Sequence, residues 1–271
     1  MNNKFWNKKK VFLTGGKGFV GSRLFEVLKR NNAEVYLYDS DVRNYQDLLD
    51  HFAKSKASII YHLAAQSLIE VGKLSPLDTF DINIRGTWNM LEVARTVGVE
   101  KIIIASTTHV YGDNPNLPYK EEYYPQPSRP YETSKASADL ISQCYADTYS
   151  LPVEISRMVN LYGPEDMNIS RLFPKIVNQL QNNINPLIFD IGAVRDFLYI
   201  DDAIDGYLKL GQVKLPNVKR ARVINFGSGK PIKITDLAEK IIKFYGNKKL
   251  HLLIKDVPNE REKEIKQQYV S

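Results

Sequence analysis

Between Val11 and Asn160 the sequence alternates short apolar runs with longer amphipathic stretches, and that rhythm leaves few folds open. VFLTG (11–15), VYLYD (35–39), Ser58–Leu63, KIIIAS (101–106) and VEISRMVN (153–160) read as strands. Phe19–Asn31, Tyr45–Ala53, Asp78–Val97 and Glu132–Tyr149 read as the helices between them. A strand that follows a helical crossover returns parallel to its predecessor, so hairpins are excluded. The expected architecture is α/β, a doubly wound parallel sheet with helices on both faces. From Gly163 onward Pro164, Pro174, Pro186 and Pro216 break up shorter elements. Residues 1–162 are therefore expected to form the sheet domain, with returning segments from about 187–210, and 163–271 a smaller C-terminal lobe sharing its cleft. Helices 78–97 and 132–149 are apolar on more than one face, a pattern that predicts a homodimer through them.

Composition narrows the setting. A chain of 271 residues buries enough surface to fold without a disulfide or metal staple. The single cysteine, Cys144, forbids an internal disulfide and suits a reducing, cytoplasmic compartment; its apolar helical surroundings predict a packed core position. No apolar run reaches the ~18 residues of a membrane span, and the basic N-terminus leads into too short an apolar run for a signal peptide. The net charge of +6 comes from lysines interleaved with acids, which reads as a solvated surface rather than a nucleic-acid stripe. The four histidines show no metal-ligand spacing; His62 reads as a core residue at a strand end and His251 as a surface residue.

TGGKGFVG (14–21) sits between the first strand and the first helix and satisfies two glycine spacings, Gly16-Gly18-Gly21 and Gly15-Gly18-Gly21. Glycines there let the backbone turn sharply and approach a pyrophosphate, which rests on helix N–H groups including those of Phe19 and Val20. The second strand ends in Asp39, eighteen residues past Gly21, where a carboxylate accepts both ribose hydroxyls of NAD and repels a 2′-phosphate. No arginine adjoins Asp39 in sequence. Asp41 and Val42 follow as further cofactor candidates, and which acid takes the ribose stays open. Together these features make the sheet Rossmann-type and the cofactor NAD.

PYETSK (130–135) places Tyr131 and Lys135 four residues apart on one helix face. An ammonium beside a phenol stabilises its phenolate, making a base that can take an alcohol proton while hydride leaves. The plain alternative is an unrelated surface tyrosine and lysine.

With these residues in place, the sequence resembles the extended short-chain dehydrogenases/reductases, NAD-dependent nucleotide-sugar epimerases and dehydratases, from about Phe5 to Ser271. Matching stretches are TGGKGFVG, YHLAAQS (61–67), NIRGTWNMLE (83–92), STTHVYGD (106–113), PYETSKASADLI (130–141), SRMVNLYGPED (156–166), RDFLYIDDAIDGY (195–207) and INFGSGKPIKITDLA (224–238). Its wording is most similar to CDP-glucose 4,6-dehydratases. The resemblance implies a nucleotide-sugar substrate whose C4 is oxidised, with Thr107 hydrogen-bonding the sugar alcohol, Tyr131 as base and Lys135 as partner of Tyr131 and the nicotinamide ribose. It implies Leu63, Ala64 and Ala65 against the cofactor, and Asn160, Ser170, Arg171 and Arg195 on the substrate diphosphate side. A salt bridge to Asp196 or Asp201 is the bland alternative for Arg195.

Two departures matter. Where the dehydratases carry an aspartate and then a glutamate or lysine, this sequence has Thr108 and His109. A threonine hydroxyl is a poor general acid, whereas an imidazole can give and take a proton in turn; a hydrogen-bonding loop residue is the other reading of His109. The reaction therefore stays open between 4,6-dehydratase, 4-epimerase and dehydrogenase, with a non-catalytic NAD-binding sensor or scaffold as the alternative of another class. Second, the family pattern continues past EIKQQYVS into a Leu-Gly-Trp turn and final helix, so the substrate lobe is expected to be truncated here.

Overall fold

Five parallel strands follow the predicted rhythm: β1 (Lys10–Thr14), β2 (Glu34–Tyr38), β3 (Ile59–His62), β4 (Lys101–Thr107) and β5 (Val153–Met158). The computed structural model describes residues 3–189, 192–214, 220–255 and 265–271. β1 pairs with β2 on one side and β3 on the other; β4 and β5 extend the β3 side, and Arg222–Phe226 adds a sixth parallel strand beyond β5. The chain thus winds outward from β1 to β2, then crosses back to β3. That reversal opens a crevice at the carboxyl ends of β1 and β3, the place where open α/β sheets bind ligands.

Strand alternation explains why both sheet faces are covered. Val11, Leu13, Ile59, Tyr61 and Ile103 pack with Leu24 and Leu28 of helix Phe19–Arg30 and with Ala203, Ile204 and Tyr207 of helix Ile200–Gln212. Their neighbours Phe12, Ile60, Ile102 and Ile104 face the opposite way, against Leu48 and Phe52 of helix Tyr45–Ser55 and Met90, Val93 and Ala94 of helix Gly86–Val97. A third, smaller cluster joins Ile176 and Leu180 of helix Leu172–Gln181 to Ile188 and Ala238 in the C-terminal part of the chain. Among the described residues no helix is long and apolar enough to cross a membrane.

Three elements differ from the sequence reading. The helix expected over 78–97 is helical from Pro76, which suits the first helical position, and widens into a π turn at Asp81–Arg85. The sixth strand, Arg222–Phe226, lies beyond the alternating stretch of residues 11–160. Cys144 is exposed, not packed: with Leu140 one turn earlier it lies on the outer face of helix Pro130–Tyr149, whose inner face carries Ala138, Ser142 and Ala146.

That helix is tied to the sheet by a buried ion pair. Arg157 on β5 donates from Nε and Nη2 to the two Asp139 oxygens at 2.9 Å each, and from Nη1 to the Tyr111 hydroxyl at 2.8 Å. Ser106 Oγ also donates to Asp139, at 2.8 Å. Both charged residues are almost wholly removed from solvent. Arg157→Met strands the Asp139 carboxylate without its cation and is expected to cost about 3–5 kcal/mol, read as a fall in the urea midpoint at neutral pH.

Candidate functional site

The crevice between the ends of β1 and β3 continues into a cleft of about 730 Å³ that runs toward the C-terminal elements. Gly15 turns the chain sharply after β1 with φ +72°, and a Cβ there would lie 2.6 Å from the Ala64 nitrogen. Leu63 and Ala64 are held in that position by bonds from their N–H groups to the Thr14 carbonyl (3.3 Å) and hydroxyl (3.2 Å). Gly21 packs the helix directly onto the Gly15 carbonyl. Gly18 is different: a Cβ there would meet only the Gly15 carbonyl, at 3.4 Å. It lines the cleft at the helix N-cap, where no side chain caps the first N–H groups. These are the three roles a pyrophosphate site asks of its glycines, and they fall on Gly15, Gly18 and Gly21. Gly16 packs against Leu37 and does not line the cleft.

Phe19, Val20, Leu63, Ala64 and Ala65 line the same wall, joined by Thr107, His109, Tyr131 and Lys135. Tyr131 and Lys135 lie on the first turns of helix Pro130–Tyr149, which Pro130 begins at a position that needs no N–H donor. The expected easing of Tyr131 ionisation is absent here. Burial pushes its phenol up to about 12, only partly offset by the Thr107 hydroxyl and Arg171. Burial pulls the Lys135 ammonium down to about 8, against a weaker pull from Asp139, and Lys135 donates to the Ala105 carbonyl. A cationic ring entering this site would favour the phenolate, because an adjacent positive charge stabilises it.

Next to this pair, His109 presents its ring edge-on to Tyr131, centroids 6.1 Å apart. Its Nδ1 lies 3.5 Å from Oε1 of Glu132, which is fully buried, and Arg129 Nε lies 3.7 Å from the same oxygen. Thr108 is also fully buried and does not line the cleft, so it has no contact with a substrate there.

Asn160, Ser170, Arg171 and Arg195 line the far end. Arg171 pairs with Asp166 at 3.0 Å and lies over the Phe19 ring. Arg195 makes neither expected salt bridge: it donates to the carbonyls of Val194, Ile265 and Lys266, while Asp196 accepts from Ser228 and Gly229 and Asp201 pairs with Arg23.

Asp39, Asp41 and Val42 lie outside this cleft lining. Asp39 pairs with Lys17 at 2.5 Å, which holds its carboxyl below the usual range. Asp41 is bound by Arg43, two residues on, and Val42 is buried against Gly86. Both cations escaped the sequence reading, which weighed only arginines adjoining Asp39. His62 is buried between Thr14 and Thr87, and burial holds its imidazole down at about 3, so it is a neutral core residue as expected; His251 is exposed, bonded to Asn185. One supporting residue also escaped it. Asn83, in the π turn, accepts from Gln66 N–H and donates to the Gln66 carbonyl and Ser134 Oγ, clamping the loop after β3 to helix Pro130–Tyr149. A lone Asn in a helix carries no such signal.

Comparison with known proteins agrees with this geometry. The pattern of the NAD dependent epimerase/dehydratase family matches residues 11–227. The dTDP-D-glucose 4,6-dehydratase of Mus musculus is 29% identical, with 97% of this chain and 78% of that protein aligned. The UDP-glucuronate 4-epimerase of Thermodesulfobacterium geofontis is 33% identical over 83% of this chain and 68% of its own. The structure of Thermus thermophilus UDP-glucose 4-epimerase in complex with NAD superposes with a TM-score of 0.84, covering 96% of this chain and 90% of that one at 24% identity. The chain belongs to the NAD-dependent epimerase/dehydratase family, with the Rossmann-type sheet and the NAD dependence that membership carries.

Proposed function

We propose that the protein is a nucleotide-sugar 4,6-dehydratase that oxidises C4 of a nucleotide-linked hexose and then eliminates water across C5 and C6. NAD, when bound, would accept two electrons from C4 and give them back to C6 after water has left, so that the sugar's net change is the loss of one water. Gly15, Gly18 and Gly21 receive its pyrophosphate at the uncapped helix end, with Leu63, Ala64 and Ala65 along its flank. Asp39 and Asp41 are the acids offered to the adenosine half. Tyr131 takes the C4 hydroxyl proton, Thr107 orients that hydroxyl, and Lys135 supports both the phenolate and the nicotinamide ribose. Asn160, Ser170, Arg171 and Arg195 bind the diphosphate, for which a guanidinium fork is well shaped. In this reading residues 1–162 hold the cofactor, with about 187–210 returning to that domain, and 163–271 hold the sugar nucleotide. The exposed Trp88, Val97, Leu140 and Tyr149 support a homodimer through the helices of 78–97 and 132–149, and the exposed thiol suits a cytoplasmic setting.

The observation that carries the dehydratase reading is His109 in the cleft beside Tyr131, because elimination needs a proton carrier next to the oxidised carbon. The buried Thr108 favours a second reading, a 4-epimerase, which returns hydride to the opposite face and needs no further acid. Mass spectrometry after incubation with NAD and CDP-, UDP-, dTDP- and GDP-hexoses separates them. Loss of one water establishes the dehydratase; an unchanged mass with altered mobility establishes the epimerase. NAD binding without any product favours a sensor or scaffold. Tyr131→Phe is expected to lower turnover by roughly 10³-fold while NAD stays bound.

Lys135 yields a pH prediction for the cofactor-free chain. Its folded value of about 8 lies below that of an unfolded lysine, ~10.4. Below pH 8 the fold therefore carries a costly buried ammonium; between pH 8 and about 10 the unfolded chain binds more protons, so this group makes stability rise with pH. Lys135→Met should abolish turnover yet stabilise the fold at pH 7, on the order of 3 kcal/mol. Urea titrations of both proteins should converge as pH rises toward 10.

A further inference from the structure

Glu132 has no part in the chemistry described so far, yet its environment is unusual. Its side chain is completely buried one residue after Tyr131, and neither carboxylate oxygen has a hydrogen bond among the described residues. His109 Nδ1 is also buried and unpartnered, and the two groups lie 3.5 Å apart. A carboxylate in such a place is expensive unless something positive or proton-donating answers it. The groups facing it are His109 from the turn after β4, Arg129 and the Ser128 backbone N–H from the preceding loop, Tyr131 from its own helix and Tyr119 from the loop beneath. Burial raises the Glu132 carboxyl, but His109, Arg129 and the Ser128 N–H together outweigh it, and the net direction is down. Glu132 is therefore an anion behind His109, on the side of the ring away from solvent, while the ring itself borders the cleft.

We propose that Glu132 is the positioning residue of a His109–Glu132 dyad: the buried carboxylate receives Nδ1–H of His109, so that Nε2 exchanges protons with the C5–C6 edge of the sugar. The proposal rests on the dehydratase reading above. It follows the general logic by which a buried carboxylate fixes a histidine tautomer and steadies the imidazolium, and a 3.5 Å separation is one that closes when substrate fills the site. Once C4 is a ketone, the C5 proton is acidic. Nε2 takes that proton, the C5–H electron pair becomes the C5=C6 bond, and the C6–O bond breaks. The imidazolium then passes the same proton to the departing hydroxide, which leaves as water. The dyad ends as it began, and one residue has served as base and acid with no contribution from Thr108.

The test uses the NAD-loaded enzyme, with the hexose nucleotide that loses water in the mass-spectrometric panel. Glu132→Gln keeps shape and removes charge. It should lower kcat for water loss by about 100-fold with KM within about twofold, and the reduced cofactor's absorbance near 340 nm should build up because oxidation outpaces elimination. Its pH–rate profile should differ from that of the wild type, and Glu132→Asp should restore part of the rate. Water loss by Glu132→Gln at the wild-type rate and with the wild-type pH profile overturns the dyad. So does an equal loss of folding stability, NAD binding and turnover, partly rescued by Glu132→Asp, which marks a purely structural carboxylate. Should Glu132→Gln fail to fold, His109→Gln takes its place: build-up of reduced cofactor without water loss supports the dyad, and undiminished water loss sinks it. A wild-type protein that never loses water from any hexose nucleotide overturns the reaction and the dyad together, a result distinct from failure of the dyad alone.

Discussion

The pairing of Arg157 with Asp139 is the interaction on which the site's geometry rests. It is made in the interior, with Ser106 and Tyr111 completing the hydrogen bonds, so neither charge is left unanswered. Its effect is to hold helix Pro130–Tyr149 against β4 and β5. Tyr131, Glu132 and Lys135 all project from the start of that helix, and Thr107 and His109 come from the end of β4. Asn83 reaches the same helix from the other side through Ser134. Position in the cleft is therefore decided by buried polar contacts made one to two turns away from it.

Burial has opposite effects on two neighbours here, and both oppose the charged form. The phenol of Tyr131 is pushed up and the ammonium of Lys135 down. Without a ligand, burial works against the charged form of each group. A cleft whose buried pair disfavours its own charges is well suited to a cofactor that brings a positive charge with it, since an added charge is felt strongly by groups withdrawn from solvent.

The sheet was legible because its strands are apolar on both faces: Val11, Phe12 and Leu13, or Ile102, Ile103 and Ile104, leave no room for a solvent-facing side. The glycine turn and the Tyr131–Lys135 spacing were legible because local chemistry dictates them. Arg43 aside, which meets Asp41 only two residues away, the contacts that escaped share one cause, distance along the chain. The sixth strand, Arg222–Phe226, is apolar only in part and gains its place from β5. Asn83 acts through partners 17 and 51 residues away. Lys17 answers Asp39 across a turn, and Glu132 meets His109 only because the helix start and the end of β4 converge. Cys144 was misplaced because an apolar helical pattern tells which residues share a face, not which face turns inward.

The glycines of the first turn differ in what holds them. Gly15 is committed by its backbone angle and by Ala64, and Gly21 by the carbonyl of Gly15. Folding requires both whether or not a nucleotide ever binds. Gly18 has an ordinary backbone and open space before it, so the fold makes no claim on it. A descendant released from cofactor binding would be bound to keep Gly15 and Gly21 but free to drift at Gly18. Within this motif, the residue under least steric pressure is the one that bears witness to the ligand.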